Sequence, residues 1–276
     1  MTGTRRRWWL TGGGVLITAV YLLPVYWMLA TSLKTSSDIF ATPPDLVPSP
    51  VTFTSYTETV MNHAGIGRGL LNSAIIAVAT TLVTLAIAVP AAYGLARLRL
   101  RFVPLLMLLF LVVQMVPAVN LALPMFVIFS RLDLVNSYTG LVLANCSLAI
   151  PLAITVLRPY FLSVPGEVLD AARVDGCTTW SAFLRVAVPV SVPGLITVAV
   201  ISFLGAWGEF VFGLALASEE SMQPITVVLA GLVNSFGTRW NDLMAVSAVV
   251  ALPIIVIFVF LQRYIVGGLT AGASKS

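Results

Sequence analysis

Charged residues are scarce in this chain of 276 residues. Asp, Glu, Lys and Arg together make up 9% of it, whereas 59% is hydrophobic and the mean hydropathy is +1.00. A soluble domain carries roughly 25% charged residues. This composition therefore excludes an ordinary soluble domain and predicts a protein whose solvent is lipid.

Residues that carry catalytic or metal chemistry are also few. His63 is the only histidine, and the two cysteines, Cys146 in an apolar run and Cys177 in a polar loop, show no metal-ligand or disulfide pattern. We therefore expect no metal site, no catalytic dyad and no enzymatic activity. The sequence also contains no G-x-x-x-x-G-K-[ST] phosphate-binding loop. If ATP drives this protein, another subunit must bind the nucleotide.

Long apolar runs dominate what remains. A bilayer core about 30 Å thick needs roughly 20 apolar residues in a helix, which predicts an all-α, polytopic membrane protein with six transmembrane helices. The predicted spans are Trp8–Ser32, Leu70–Ala96, Val103–Val119, Tyr138–Phe161, Pro193–Ala217 and Leu243–Tyr264. The shorter run Leu121–Leu134 predicts a helix at the outer surface. The first run exceeds the apolar region of about 7–15 residues in a signal peptide, so we interpret it as a retained span.

Basic residues indicate the orientation of these spans. With both termini in the cytoplasm, the inner side carries Arg5, Arg6, Arg7, Arg97, Arg99, Arg101, Arg158, Arg173, Arg185, Arg263 and Lys275, and the outer side carries Lys34, Arg68, Arg131 and Arg239. Short loops rich in Lys and Arg stay cytoplasmic. The basic character of the chain is therefore a topology signal and does not indicate nucleic-acid binding. The outer segment Thr35–Gly69 is either a surface for an external partner or a connecting loop.

Small side chains recur along one face of the second span, at Ser73, Ala77, Thr81, Thr84, Ala88 and Ala92. Their spacing of three or four residues keeps them on one side of a helix. Small residues allow membrane helices to approach closely. We therefore expect this face to be a packing surface.

The polar loop of about residues 163–192, between the fourth and fifth spans, predicts two short helices around a tight turn. Ser163 is a candidate N-cap, Gly176 is placed to end the first helix in a left-handed conformation, and Thr178 or Thr179 can cap the second. Pro189 is expected to end the second helix. One apolar face is predicted, formed by Trp180, Phe183, Leu184 and Ala187. This face either packs under its own helical bundle or inserts into a groove on another protein.

This loop resembles the coupling loop of ABC importer permeases, usually written E-A-A-x-x-x-G with a trailing proline. The matching residues are Asp170, Ala171, Ala172, Asp175, Gly176, Phe183, Pro189 and Pro193. Asp170 stands where the family usually has Glu, one methylene longer. The resemblance implies that residues 1–276 form a single transmembrane domain that docks onto an ATPase through this loop.

Further strings resemble the carbohydrate branch of that family, the maltose and trehalose transporter type. They are Ser32–Lys34, Asn72–Ser73, Pro90–Arg97, Trp207–Phe210 and Gln262–Gly272. The last string resembles the second (G-like) permease of a heterodimeric pair. The resemblance implies a bacterial inner-membrane protein that imports a sugar together with a second permease, two subunits that bind ATP and Mg, and an extracytoplasmic solute-binding protein. No nucleic acid is implied.

A sugar pathway through the spans needs polar groups that pair with hydroxyls. The candidates are Gln114, Asn120, Asn145, Ser147, Ser202, Trp207 and Glu209. Trp207 with Glu209 is either an aromatic platform beside a carboxylate or an interfacial tryptophan beside a hydrated carboxylate. A charge at the centre of the bilayer costs about 2.5–3.5 kcal/mol, so Glu209 should face a cavity, a partner or the outer boundary.

Three other classes of protein compete with this interpretation. A secondary transporter is expected to show an internal repeat and an intramembrane ion site, and neither is evident in the sequence. A membrane-embedded enzyme needs a catalytic cluster, which one histidine and scattered acids do not supply. An ABC permease for polyamines, osmolytes or glycerol phosphate remains open, because the coupling loop is shared across substrates.

Overall fold

The computed structural model describes the backbone of residues 3–98, 101–233 and 238–273, and the side chains within 10–98, 101–233 and 238–260. Some side chains discussed above lie outside this description. They are the basic side chains of Arg5–Arg7, Arg99, Arg263 and Lys275, and the side chains of the C-terminal string Gln262–Gly272. Within this description the chain forms helices and no β-strand. The predicted all-α class is confirmed.

The described residues form eleven α-helical segments. They are α1 Gly3–Ser32, α2 Ala64–Arg97, α3 Val103–Gln114, α4 Ala118–Arg131, α5 Tyr138–Ser163, α6 Gly166–Val174, α7 Thr179–Val190, α8 Val192–Trp207, α9 Val211–Leu216, α10 Ile225–Gly231 and α11 Trp240–Ala273. Short 3₁₀ turns occur at Asp38–Phe40 and Glu220–Met222, and a π-type turn covers Ser55–Met61.

Four of these helices are long and apolar enough to cross a bilayer, over Leu10–Ser32, Ala64–Arg97, Tyr138–Ser163 and Trp240–Phe260. Two bent pairs qualify only when each pair is taken together: α3 with α4, bent by 94°, and α7 with α8, bent by 75°. The described part of the chain therefore contains four candidate spans, or up to six if each bent pair counts as one.

The predicted third and fifth spans need correction. The third, expected to reach Val119, ends at Gln114, because Pro117 disfavours helical backbone at the residue before it. The next helix then begins at Ala118, three residues before the predicted surface helix. The fifth, expected to continue to Ala217, stops at Trp207, and a new helix starts at Val211.

The chain divides into two compact units, of which the first comprises residues 1–67 and 228–252. Here Lys34 is 3% exposed, its ammonium lies 5.1 Å from the ring centroid of Trp27, and it donates to the Asp45 carbonyl. The amide of Asn241 donates to Ser55 Oγ at 3.0 Å and accepts from Ser36 Oγ at 3.2 Å. The segment between α1 and α2 is thus held by polar contacts within this unit.

The second unit comprises residues 68–227 and 253–276. Its core confirms most of the small face of α2 as a packing surface: Ser73, Ala77, Thr84, Ala88 and Ala92 are all at most 1% exposed, whereas the sixth predicted residue, Thr81, is partly buried. α8 approaches α5 closely at Gly194. A Cβ atom there would lie 2.5 Å from Cγ of Tyr160, so only glycine permits this contact.

Candidate functional site

The first of the two short loop helices ends as the sequence predicts. Gly176 has φ +89°, a left-handed conformation that disfavours side chains. The Cys177 N–H donates to the Ala172 carbonyl at 2.9 Å, and the Gly176 N–H donates to the Arg173 carbonyl at 3.0 Å. These two bonds form a Schellman motif. The turn between α6 and α7 is therefore defined by backbone geometry that requires a glycine.

Two local predictions about this loop are wrong. Ser163 does not cap α6: its hydroxyl donates to Tyr160 O at 2.8 Å, and the helix begins after the extended residue Pro165. Pro189 does not end α7, which continues to Val190. A wide π-type turn over Phe183–Ala187 precedes this proline and accommodates it within the helix.

The second loop helix starts as predicted. The Thr178 side chain accepts a bond from the Ser181 N–H at 3.2 Å, which makes it the N-cap.

The predicted apolar face of α7 divides between two environments. Phe183 and Ala187 are buried, and the Phe183 ring lies 4.7 Å from the ring of Tyr93, measured between centroids. Trp180 and Leu184 remain 61% and 48% exposed. Half of this face therefore packs within the second unit, as the first alternative expects, and the other half is open.

The residues of the loop motif divide in the same way. Ala172 is buried, whereas Asp170, Ala171, Asp175 and Gly176 are exposed. Asp170 pairs with Arg173 at 3.0 Å on the surface. Such an exposed pair contributes about 0–1 kcal/mol to stability. A contribution to the stability of the fold therefore does not account for the Asp170 carboxylate.

An exposed valine extends this surface. Val174 is 88% exposed and adjoins the turn at Gly176. Sequence analysis missed it, because its position on α6 shows no periodic signal. We call the exposed residues Asp170, Ala171, Val174, Asp175, Gly176, Trp180 and Leu184 the loop surface.

A second feature of this unit is a cavity of about 170 Å³ among α2, α5 and α8. Its lining comprises Thr80, Asn145, Leu148, Ala149, Leu152, Ile201, Ser202, Gly205, Ala206 and Glu209. The Thr80 hydroxyl is buried and has no hydrogen-bond partner among the described residues. Asn145 is 7% exposed and donates to the Leu141 carbonyl at 2.8 Å. The cavity is mostly apolar, and four of its lining residues have polar side chains.

Glu209 also has a structural role that sequence analysis missed. Its carboxylate accepts from the Phe212 N–H at 2.8 Å and from the Gly213 N–H at 3.1 Å. It therefore caps the first turn of α9, where free N–H groups favour a negative charge. This cap favours a new helix start at Val211, after the break that follows Trp207.

Trp207 does not accompany Glu209 in the cavity lining. It is 3% exposed and stacks on Phe203, with ring centroids 5.8 Å apart and planes 14° apart. The structure therefore does not support a sugar platform formed by Trp207 in this cavity. Its neighbours in this packing are Ala77 and Ala206.

The other pathway candidates also lie outside the cavity. Gln114 donates to the Phe110 carbonyl at 3.0 Å and to Thr155 Oγ1 at 3.4 Å, and Ser147 donates to the Ala144 carbonyl at 2.6 Å. Asn120 is exposed in the first turn of α4. The structure thus brings together Asn145, Ser202 and Glu209 of the predicted set.

The cavity also includes Thr80, which the sequence did not single out. The only signal for Thr80 was its place next to the small face of α2.

The chain is similar to known transport proteins along almost its whole length. Residues 85–270 match the family described as binding-protein-dependent transport system inner membrane component. The sulfoquinovosyl glycerol transport system permease protein of Agrobacterium fabrum is 34% identical over 92% of this chain and 89% of its own length. The trehalose transport system permease protein of Mycobacterium tuberculosis is 34% identical over 99% of both chains.

A solved structure has the same fold. It is a bacterial ABC transporter involved in the import of the acidic polysaccharide alginate, with a TM-score of 0.79 and 18% identity, covering 96% of this chain and 99% of that one. The family match covers well over half of the present sequence, and both relatives span it nearly end to end. The chain belongs to the family of inner-membrane components of binding-protein-dependent transport systems, the permeases of ABC importers.

Proposed function

We propose that this chain is the membrane-spanning permease subunit of an ATP-driven sugar importer, with residues 1–276 acting as one transmembrane domain. The observation that carries the proposal is its 34% identity, over nearly the full length, to permeases named for sulfoquinovosyl glycerol and trehalose transport. A di- or oligosaccharide, or a derivative of one, is the substrate class that these relatives favour. The C-terminal string Gln262–Gly272 supports a role as the second, G-like permease of a pair.

The cavity among α2, α5 and α8 supports this substrate class. Thr80, Asn145, Ser202 and Glu209 offer hydroxyl, amide and carboxylate groups, which pair with sugar hydroxyls. The surrounding Leu, Ile and Ala side chains suit the apolar face of a sugar ring. A pocket with few polar groups in an apolar lining is the usual form of a small-molecule site. We assign these four residues to the sugar pathway.

The loop surface supports coupling to a separate ATPase. It presents two acids, a tight turn and exposed apolar side chains, all outside the packed core. A partner groove that covers Trp180, Leu184 and Val174 removes apolar surface from water, at roughly 25 cal/mol per Å². In this proposal the partner ATPase binds ATP and Mg and moves the permease through this surface. An extracytoplasmic solute-binding protein delivers the sugar, and both termini lie in the cytoplasm.

A transport assay tests the substrate class. Cells that lack this chain should lose uptake of one labelled di- or oligosaccharide from a panel, and the wild-type chain supplied in trans should restore it. The same panel should contain glycerol phosphate, a polyamine and an osmolyte as controls, and their uptake should not change. Loss of uptake confined to one of those three would contradict the sugar assignment and leave the ABC permease family intact.

A further inference from the structure

A separate pocket lies where α2 ends and α3 begins, beside α5. Its volume is about 430 Å³, and it is lined by Leu95, Ala96, Leu98, Val103, Pro104, Met107 and Arg158. All of these residues belong to the second unit. None of them lines the cavity among α2, α5 and α8 or belongs to the loop surface.

Arg158 lines this pocket, and Arg97 lies in sequence between its lining residues Ala96 and Leu98; neither has a carboxylate partner among the described residues. Arg158 Nε donates to the Leu95 carbonyl at 3.2 Å, and an Arg97 η nitrogen donates to the Val164 carbonyl. Arg97 Nε is buried without a hydrogen-bond partner among the described residues. Within the same residues, no carboxylate lies within 4.0 Å of either guanidinium, since the ion pairs found there are Arg173–Asp170 and Arg239–Asp242.

The apolar side of the pocket adjoins a surface that suits lipid. Leu98 is 59% exposed at the pocket mouth, and Leu105 and Leu108 on α3 are 66% and 57% exposed. α5 has 26 residues, and a helix of that size is about 39 Å long at 1.5 Å per residue, longer than a hydrocarbon core of about 30 Å. Arg158 is the twenty-first of these residues, within the last two turns of the helix, which is the part expected near the lipid headgroups.

We propose that this pocket binds an anionic phospholipid. The headgroup phosphate contacts Arg158, while Arg97 adds positive potential, and an acyl chain lies along Leu98 and Met107. Guanidinium groups bind phosphate oxygens through paired hydrogen bonds. Arg158 uses its Nε for the bond to the Leu95 carbonyl, and its two η nitrogens carry the further N–H donors that a phosphate can accept from. Basic pockets between membrane helices are suited to anionic headgroups.

Native mass spectrometry of the full chain, purified with its co-purifying partners, tests this site. The probes are phosphatidylglycerol and phosphatidylcholine with identical acyl chains. The wild type should retain phosphatidylglycerol preferentially, and Arg158→Gln should reduce that retention about five-fold, the factor expected for one basic residue near an anionic lipid. The matched control is Arg131→Gln, which removes an exposed arginine at the end of α4 and should retain phosphatidylglycerol like the wild type.

A second pair of variants separates lipid binding from folding, because Arg158→Gln also removes the bond to Leu95. Leu98→Glu places a negative charge at the pocket mouth and should reduce phosphatidylglycerol retention. Leu98→Gln introduces a side chain of nearly the same size without the charge and should retain several-fold more phosphatidylglycerol. Equal retention in these two variants, or equal binding of both lipids by the wild type, would overturn the proposal. So would displacement of phosphatidylglycerol by millimolar inorganic phosphate, which would mark a site for a free anion.

Discussion

Replacing Gly176 by valine should lower sugar uptake about ten-fold or more, with the chain still folded in the membrane. The position has φ +89°, and a Cβ there would meet nothing within 4 Å. The substitution therefore introduces backbone strain and no clash. A β-branched residue held in that region costs about 1–3 kcal/mol, and the Schellman turn between α6 and α7 relieves it by changing shape. The loop surface then no longer fits the ATPase.

Two variants control this result. Gly67→Val makes the same change in α2, where a Cβ also meets nothing within 4 Å and the backbone is helical, and it should transport normally. Gly176→Asn should keep most of the uptake, because asparagine tolerates the left-handed conformation. Uptake of radiolabelled substrate is measured for each variant, together with the abundance of the variant in the membrane by immunoblot. Normal transport by Gly176→Val would remove the turn from the coupling assignment.

Replacing Glu209 by glutamine should raise the KM for sugar uptake about ten-fold. It should also lower the free energy of unfolding, by less than the free energy that this change in KM represents. A hydrogen bond from a sugar hydroxyl to a charged group contributes about 1.5–3 kcal/mol, and a neutral amide about half of that. The amide keeps one acceptor oxygen for the Phe212 or Gly213 N–H, so the cap of α9 weakens without being lost. A weakened cap costs about 1 kcal/mol.

Measuring the KM for uptake separately from the amount of folded protein distinguishes sugar binding by the Glu209 carboxylate from its role as the cap of α9. Glu220→Gln is the matched control, since Glu220 is an exposed acid in a nearby turn, and its kinetics should equal the wild type. If Glu209→Gln lowers the amount of folded chain but leaves KM unchanged, the carboxylate is a helix cap and leaves the pathway assignment.

The sequence was most informative where local chemistry decides the structure. The turn at Gly176 follows from one glycine after a short helix, and the Thr178 cap from one hydroxyl before the next. The buried face of α2 follows from helical spacing of small residues. Each of these features depends on a few neighbours in the chain, so a periodic or capping pattern is enough to predict it.

Predictions that depended on distant contacts succeeded less often. The burial of Phe183 depends on where Tyr93 lies, which is far away in sequence. Trp207 and Glu209 are predicted to act together because they are two residues apart in the sequence, yet α8 ends between them and their side chains have different neighbours. Thr80 was missed because an unpartnered buried hydroxyl is visible only in the folded chain.

The central claim is that this chain works as one subunit of an ATP-driven importer. The most direct test is to purify the tagged chain from its native membrane in mild detergent and to identify every protein that accompanies it. We expect an ATP-binding subunit and a second permease. Recovery of the chain alone, under conditions that preserve other membrane complexes, would contradict the claim and favour a self-sufficient carrier.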